Sequence, residues 1–312
     1  MKKKNIAVIG GCGFIGSHLT NELARANNVL VLDNLITGKK EYISPHAEFQ
    51  RFDIRYSVIR LYKIFKDFKI DYVFHLAAEP FIPKSYEHPE EFFDVNVKGT
   101  LNVLKASQEA EVKRILYMSS SEVYGTGTQK FMNEQHPTLP ASTYAVSKLT
   151  ADRVCFTSYK EHKIPCIIVR LFNNYGGNWT QPYIIPEIIQ QLRNSSILKL
   201  GNIKAQRDFL YVEDGTKMIA ELMEKGKIGE TYNLGSGKTY SIEYIAKLLG
   251  TLIYPRKKIE IRLDTKKLRP LDVEYLRSDN SKIYKVIKCR PGTSIKEGLI
   301  KTIKWFEENR DV

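Results

Sequence analysis

The 312-residue chain has no closely spaced pair of cysteines. Its four, Cys12, Cys155, Cys166 and Cys289, are scattered, which argues against a disulfide framework and against a zinc cluster. They read as reduced thiols filling small gaps. Long apolar runs are also missing. Stretches such as "KRILYMSSS" and "PCIIVRLF" fall well short of the ~20 residues that a bilayer crossing needs. Three lysines follow Met1, but the next apolar segment is short and runs into a glycine loop, unlike a secretory leader. A cytoplasmic protein with no membrane partner is expected. Histidines and carboxylates nowhere cluster at metal-ligand spacing, so no metal is expected. The net charge of +13 comes without any RNA- or DNA-binding module pattern. It reads as solvated lysines plus a phosphorylated ligand, with no nucleic-acid partner.

What is present is a strand–helix rhythm. "NIAVIG" is a continuous apolar run ended by glycine, as in a strand covered on both faces. "GFIGSHLTNELARAN" follows, with Phe14, Ile15, Leu19 and Leu23 at helical spacing. "NVLVLDN", "AEFQRFD", "DYVFHLAA", "RILYMSSS" and "CIIVRLF" read as further strands, separated by helices around "SVIRLYKIFKDF", through "FDVNVKGTLNVLKASQEA" and from near Tyr144. Such alternation specifies an α/β fold of the Rossmann type, a doubly wound parallel sheet. After about residue 173 the rhythm breaks at "NNYGGNWTQPYIIP". A helix over "PEIIQQLR", short strands "ILKLGN", "RDFLYV" and "TYNLGS", and a last helix "SIKEGLIKTIKWFEE" follow. Residues 1–172 are therefore expected to form a dinucleotide-binding domain, with a later strand contributed from around 208–240. Residues 173–312 are expected to form most of a smaller α+β substrate-binding lobe, interleaved with the first and sharing a cleft with it at the carboxyl ends of the strands.

"GGCGFIG" places Gly10, Gly13 and Gly16 between the first strand and first helix. A tight turn there lets the backbone approach a pyrophosphate over a helix N-terminus. Asp33 closes the second strand, where a carboxylate binds a ribose 2′-hydroxyl and repels a 2′-phosphate, so NAD is favoured over NADP. Asp53, near the end of the third strand, suits either an adenine edge or a local cap. "STYAVSK" puts Tyr144 and Lys148 on one face of a helix start. An ammonium there is expected to lower the tyrosine pKa and ready it for proton exchange with a sugar hydroxyl. His75, at the end of an apolar strand, reads as structural.

Taken in order, the glycine loop, the acidic ribose residue, "HLAA", "VNVKGT", "SSSEVYG", "YAVSK", "RLFNNYG" and "RDFLYVEDG" resemble the extended short-chain dehydrogenase/reductase family. Within it the likeness is to nucleotide-sugar epimerases and dehydratases, and it runs along essentially the whole chain. The resemblance implies roles position by position. Gly10, Gly13, Phe14, Ile15 and Gly16 match the phosphate loop, Asp33 and Asn34 the ribose site, and Asp53 and Ile54 the adenine pocket. Leu76, Ala77 and Ala78 match a strip lining the cofactor, and Asn96 a helix asparagine beside it. Ser120, Tyr144 and Lys148 match the catalytic triad. Asn173, Arg207 and Arg269 match groups at the sugar diphosphate, the arginines by their fork geometry. Lys84 and Ser85 match a loop touching the sugar. A homodimer through helices of the larger lobe is likewise implied.

Members of this group oxidise a sugar carbon, usually C4, in their first step. The ketone then acidifies the neighbouring C–H. A 4-epimerase needs no further carboxylate, whereas a 4,6-dehydratase needs a base for the C5 proton and an acid for the C6 hydroxyl. In dehydratases acting on dTDP-glucose the two positions after the triad serine resemble Asp-Glu; here they are Ser121 and Glu122. The base is present and the aspartic acid is not. Glu122 both removing and returning the proton, or Ser121 working with a water, are the two ways to fill that gap. The expected activity is therefore NAD-dependent nucleotide-sugar 4,6-dehydration, with 4-epimerisation as the alternative. UDP-glucuronate decarboxylases share the Ser-Glu pair, and a non-catalytic NAD-binding regulator on the same fold stands further off.

Overall fold

The structure, a computed structural model, describes residues 1–309. Its strands are β1 (Asn5–Ile9), β2 (Asn28–Asp33), β3 (Glu48–Arg51), β4 (Tyr72–His75), β5 (Arg114–Ser120), β6 (Cys166–Leu171), β7 (Asn173–Tyr175), β8 (Ile197–Leu200), β9 (Gln206–Tyr211), β10 (Thr231–Leu234), β11 (Thr239–Ser241) and β12 (Glu260–Leu263). Seven of them form one sheet in the order β10-β6-β5-β4-β1-β2-β3. All six pairings are parallel. This is the Rossmann-type doubly wound α/β fold.

The apolar runs segregate by strand parity. Ile6, Val8, Val29, Val31, Phe74, Leu116 and Met118 point to one core, together with Leu19, Met218, Ile219 and Leu222 from the helices Phe14–Leu23 and Val212–Lys225. Ala7, Ile9, Leu30, Leu32, Val73, Ile115 and Tyr117 point to the other. That face is covered by helices Val58–Asp67, Gly99–Glu109 and Thr143–His162. Two covered faces explain why these strands read as unbroken apolar runs. The second lobe has its own core of Ile185, Ile188, Leu192, Leu198, Ile245, Leu249, Leu299 and Phe306. In it β11-β9-β7 and β12-β8 form small sheets beside helices Ile184–Asn194, Ile242–Ile253 and Ile295–Glu308.

Two helices, Val212–Lys225 and Ile242–Ile253, have no counterpart in the sequence reading. The first carries Asp214 and Gly215 in its opening turn, two residues of low helix propensity. Tertiary packing of its Met218–Leu222 face against Leu19 and Leu23 overrides that. The long helix expected through residues 93–110 is interrupted. It runs as Pro89–Phe93, a π-helical turn Asp94–Lys98, and Gly99–Glu109. Such insertions re-aim a side chain, and Asn96 lies in this one.

A buried ion pair ties the large sheet together. Arg170 on β6 reaches Asp152 on the helix Thr143–His162 at 2.9 and 3.2 Å, with both side chains inaccessible. Ser119 donates to the same carboxylate at 3.1 Å, and Arg170 donates to the Tyr124 hydroxyl at 3.1 Å. Tyr124 in turn donates to Asn233 on β10 at 2.7 Å. Asp152→Ala leaves a guanidinium buried and uncompensated. The expected loss is about 3–5 kcal/mol of unfolding free energy in urea melts, and a loss under about 1 kcal/mol would contradict this role.

Candidate active site

The strands end where the two lobes meet. Gly10 turns the chain at φ +80°, and a Cβ there would sit 2.6 Å from the Ala77 nitrogen. A Cβ on Gly16 would fall 2.0 Å from the Gly10 carbonyl oxygen, so β1, the loop and the helix can close only on glycine. Gly13 precedes the helix without a side-chain cap, which leaves the N–H groups of its first turn at Phe14 and Ile15 open to an anion. A cradle that side chains would fill, over uncapped N–H groups, fits a dinucleotide pyrophosphate. Leu76 and Ala77 both donate to the Ile9 carbonyl at 2.9 Å and so lie across this loop.

Asp33 is buried at the end of β2, where its two carboxylate oxygens accept N–H bonds from Cys12 at 3.0 Å and Leu35 at 2.8 Å. Burial raises its pKa, and those N–H donors oppose the rise. Asn34 donates to Asp53 at 3.1 Å. Asp53 is also held by the Arg55 guanidinium at 2.8 Å. Asn34 and Asp53, with Arg51, Phe52, Tyr56 and Arg60, line an open pocket of about 330 Å³. Ile54 packs in the core against Gly99, leaving Asp53 as the polar member of that pair.

Ser120 ends β5, and its hydroxyl is hydrogen-bonded to Tyr144 and accepts the Glu122 N–H at 3.2 Å. Ser142 caps the helix by accepting the Ala145 N–H at 3.1 Å, which fixes where Tyr144 emerges. Lys148, one turn on, is 3% exposed and donates to the Met118 carbonyl at 2.5 Å, over the Tyr117 ring. The expected lowering of the tyrosine pKa is not what this geometry gives. Burial pushes Tyr144 up to about 12, the Ser120 hydrogen bond opposes this, and the field of Glu122 adds to it. Burial also brings Lys148 down to about 7, so its ammonium is a weak counterweight.

Glu122 follows in a short 3-10 turn, Ser121–Tyr124. Its field reaches Tyr144, Arg207 and Tyr86. Its carboxylate makes no hydrogen bond among the described residues, while Ser121 beside it is 3% exposed. Arg207 on β9 is 7% exposed and pairs with Asp272 at 3.3 Å; Arg269 approaches the same carboxylate at 3.9 Å. Asn173 starts β7 with its Oδ1 buried and unpartnered. Asn96 accepts the Glu79 N–H at 2.9 Å and donates to Ser147 at 2.9 Å, which joins the end of β4 to the catalytic helix. Ser85 is fully buried and donates to Ile82 at 2.7 Å, so it shapes its loop and offers no donor to a sugar. Lys84 is tied between Glu79 and Glu91 at 3.0 and 2.8 Å.

The family model for GDP-mannose 4,6-dehydratases matches residues 7–302. The chain belongs to that family. It is similar to human dTDP-D-glucose 4,6-dehydratase, 33% identical over 98% of this chain and 91% of the relative. It is also similar to a UDP-N-acetyl-alpha-D-glucosaminuronate decarboxylase of Bacillus cytotoxicus, 32% identical over 98% of each. Among solved structures, the UDP-glucose 4-epimerase of Thermus thermophilus in complex with NAD superposes with a TM-score of 0.87, at 26% identity over 98% of this chain and 99% of that one. The protein is thus an NAD-dependent enzyme of the nucleotide-sugar dehydratase and epimerase group.

Sequence reading missed Asp272, Glu79, Tyr86 and Tyr183. Asp272 was legible as the acid following "RP" in "LRPLD", Glu79 as the residue after "HLAA" and Tyr86 as the neighbour of Ser85; Tyr183 emerges only where the lobes meet. Lys148 offers a test. The unfolded chain holds the lysine proton to about 10.5, the folded chain releases it near 7, and stability therefore rises with pH across that window. Ligand-free protein should gain about 2–3 kcal/mol relative to Lys148→Met between about pH 7 and 9 in urea melts. Parallel pH curves would contradict the burial of this charge.

Proposed function

We propose that the protein is a nucleotide-sugar 4,6-dehydratase. The observation that carries this is the unpaired Glu122 carboxylate, set between Tyr144 and Arg207. Arg207 and Arg269, bridged by Asp272, hold the diphosphate by charge-assisted bonds, and the orphaned Asn173 Oδ1 accepts a donor from the substrate. This places the sugar between Ser120, Tyr144 and Glu122. When bound, NAD supplies the hydride acceptor and donor for the sugar carbons. Tyr144, oriented by Ser120, takes the C4 hydroxyl proton as a phenolate, so the phenolic proton that burial holds in the ligand-free site leaves first.

The 4-keto group then makes the C5 proton acidic. Glu122 removes it; the C5–H electrons form the C5=C6 bond as the C6–O bond breaks. With serine at 121, no carboxylic acid stands at the leaving group. Glu122, now protonated, gives its proton to the departing hydroxide, so water leaves and charge balances. A 4-epimerase would leave this carboxylate without a task.

The same reading puts the enzyme in the cytoplasm, where its four free thiols stay reduced. It also makes it a homodimer. Phe93, Leu101 and Val146 are 37–40% exposed on the helices that cover one face of the large sheet, an apolar surface suited to a second copy. Light scattering should give twice 35.9 kDa, and Leu101→Glu should shift it toward the monomer. A monomeric wild type would remove the dimer from the account.

Incubation with UDP-, GDP-, dTDP- and CDP-sugars, read by mass spectrometry, should give a product lighter by one water from at least one of them. Glu122→Gln should slow that loss by roughly 10²-fold or more while nucleotide-sugar binding persists. An isobaric product with inverted ring configuration, or dehydration untouched by Glu122→Gln, would sink the proposal.

A further inference from the structure

Glu79 is a buried acidic side chain that the proposed dehydration does not use. It directly follows Leu76–Ala78 at the end of β4 and is 5% exposed. Its backbone is pinned on both sides by Asn96, which accepts the Glu79 N–H at 2.9 Å and donates to its carbonyl at 3.2 Å. Through Ser147 the same asparagine is joined to the helix that carries Tyr144. Glu79 therefore has little freedom to move away from the catalytic tyrosine.

Its two carboxylate oxygens differ. Oε2 accepts from Lys84 at 3.0 Å, whereas Oε1 is buried with no partner among the described residues. A buried, unpaired carboxylate oxygen is costly and calls for a donor. The position of that donor is marked by Tyr183, which enters from the second lobe just ahead of the helix Ile184–Asn194. Burial pushes the Tyr183 phenol up, and the fields of Tyr144 and Glu79 add to that rise, so the three side chains lie near one another. On the nucleotide-sugar reading, this neighbourhood is where the sugar lies.

The charge of this corner is also defined. Lys84 lies between Glu79 and Glu91, so two carboxylates share one ammonium and leave an excess negative charge. Glu122 adds a second on the other side of Tyr144. A lysine that pairs with two carboxylates has no attraction left for an anionic sugar.

Resting on the nucleotide-sugar reading, we propose that Glu79 is a specificity-determining residue that accepts a hydrogen bond from an O–H or N–H of an uncharged sugar. The Glu79–Lys84–Glu91 triad correspondingly rejects sugars bearing a carboxylate. The substrate class is then a neutral hexose or acylamino-hexose carried on a nucleoside diphosphate, and a uronate, the substrate that decarboxylation needs, is excluded. Coulomb repulsion across about 6 Å near the protein surface is enough for roughly 30-fold discrimination.

Calorimetry on NAD-loaded protein carrying Tyr144→Phe, which holds turnover off, tests this with matched pairs. These are UDP-glucose against UDP-glucuronate, GDP-mannose against GDP-mannuronate, and dTDP-glucose against its C6-oxidised form. On the preferred nucleotide the neutral sugar should bind at least roughly 30-fold tighter than its uronate. Glu79→Gln should shrink that gap by about 10-fold. Glu91→Gln, which removes charge without touching the acceptor, should shrink it too while keeping the affinity for the neutral sugar. Equal affinities within a pair, a uronate that binds more tightly, or a gap that neither variant alters would overturn the role of Glu79 and leave the nucleotide-sugar reading standing. Failure of every pair to bind would overturn that reading itself, and the assignment of Glu79 with it.

Discussion

The site depends on the buried pair of Asp152 and Arg170. Opposite charges at 2.9 Å in the interior are stable only if every remaining donor and acceptor is satisfied, and here those donors and acceptors belong to the catalytic elements. Ser119 and Tyr124 flank the segment that holds Ser120, Ser121 and Glu122, and both bond to the pair. Asp152 lies one turn beyond Lys148 on the helix that presents Tyr144. One ion pair thus sets the end of β5 against the start of that helix, and through Asn233 it reaches β10 at the far edge of the sheet. The proposed reactive groups thus sit on rigid supports, which is what proton transfer between fixed atoms needs.

Around that frame, burial governs the chemistry. Tyr144 stays a phenol well above its ordinary range, and Lys148 is drawn toward neutrality. The ligand-free site therefore stores little reactive charge near the triad. Glu122 keeps its carboxylate unpaired among the described residues, while Arg207 and Arg269 meet at Asp272, where the proposed function puts the diphosphate. The proposed order of events follows: phosphate anchoring first, alcohol proton second, carbon proton last.

Much of the larger lobe was legible because its central strands are covered on both faces and most are joined by helices. Apolar runs and 3.6-residue periodicity then agree. The glycine loop, Asp33, Tyr144 and Lys148 were legible for a related reason: each is tied to a strand end or a helix start. The helix Val212–Lys225 was not, since its stability comes from packing on Leu19 and Leu23, nearly two hundred residues away. The same holds for Glu79 and Tyr183, whose relation exists only across the cleft. Local pattern also misjudged the Tyr144–Lys148 pair. Spacing brings the two side chains to one face, but it carries no information on how deeply they are buried.

The central claim is that Glu122 moves a carbon-bound proton. Running the reaction in deuterium oxide tests it most directly, with the product analysed by mass spectrometry and NMR. The account predicts loss of one water and one solvent deuterium on the carbon beside the new ketone, because the proton Glu122 removes leaves with the water and the one delivered to that carbon is drawn from solvent. A product of unchanged mass, with no deuterium on any ring carbon, would contradict it.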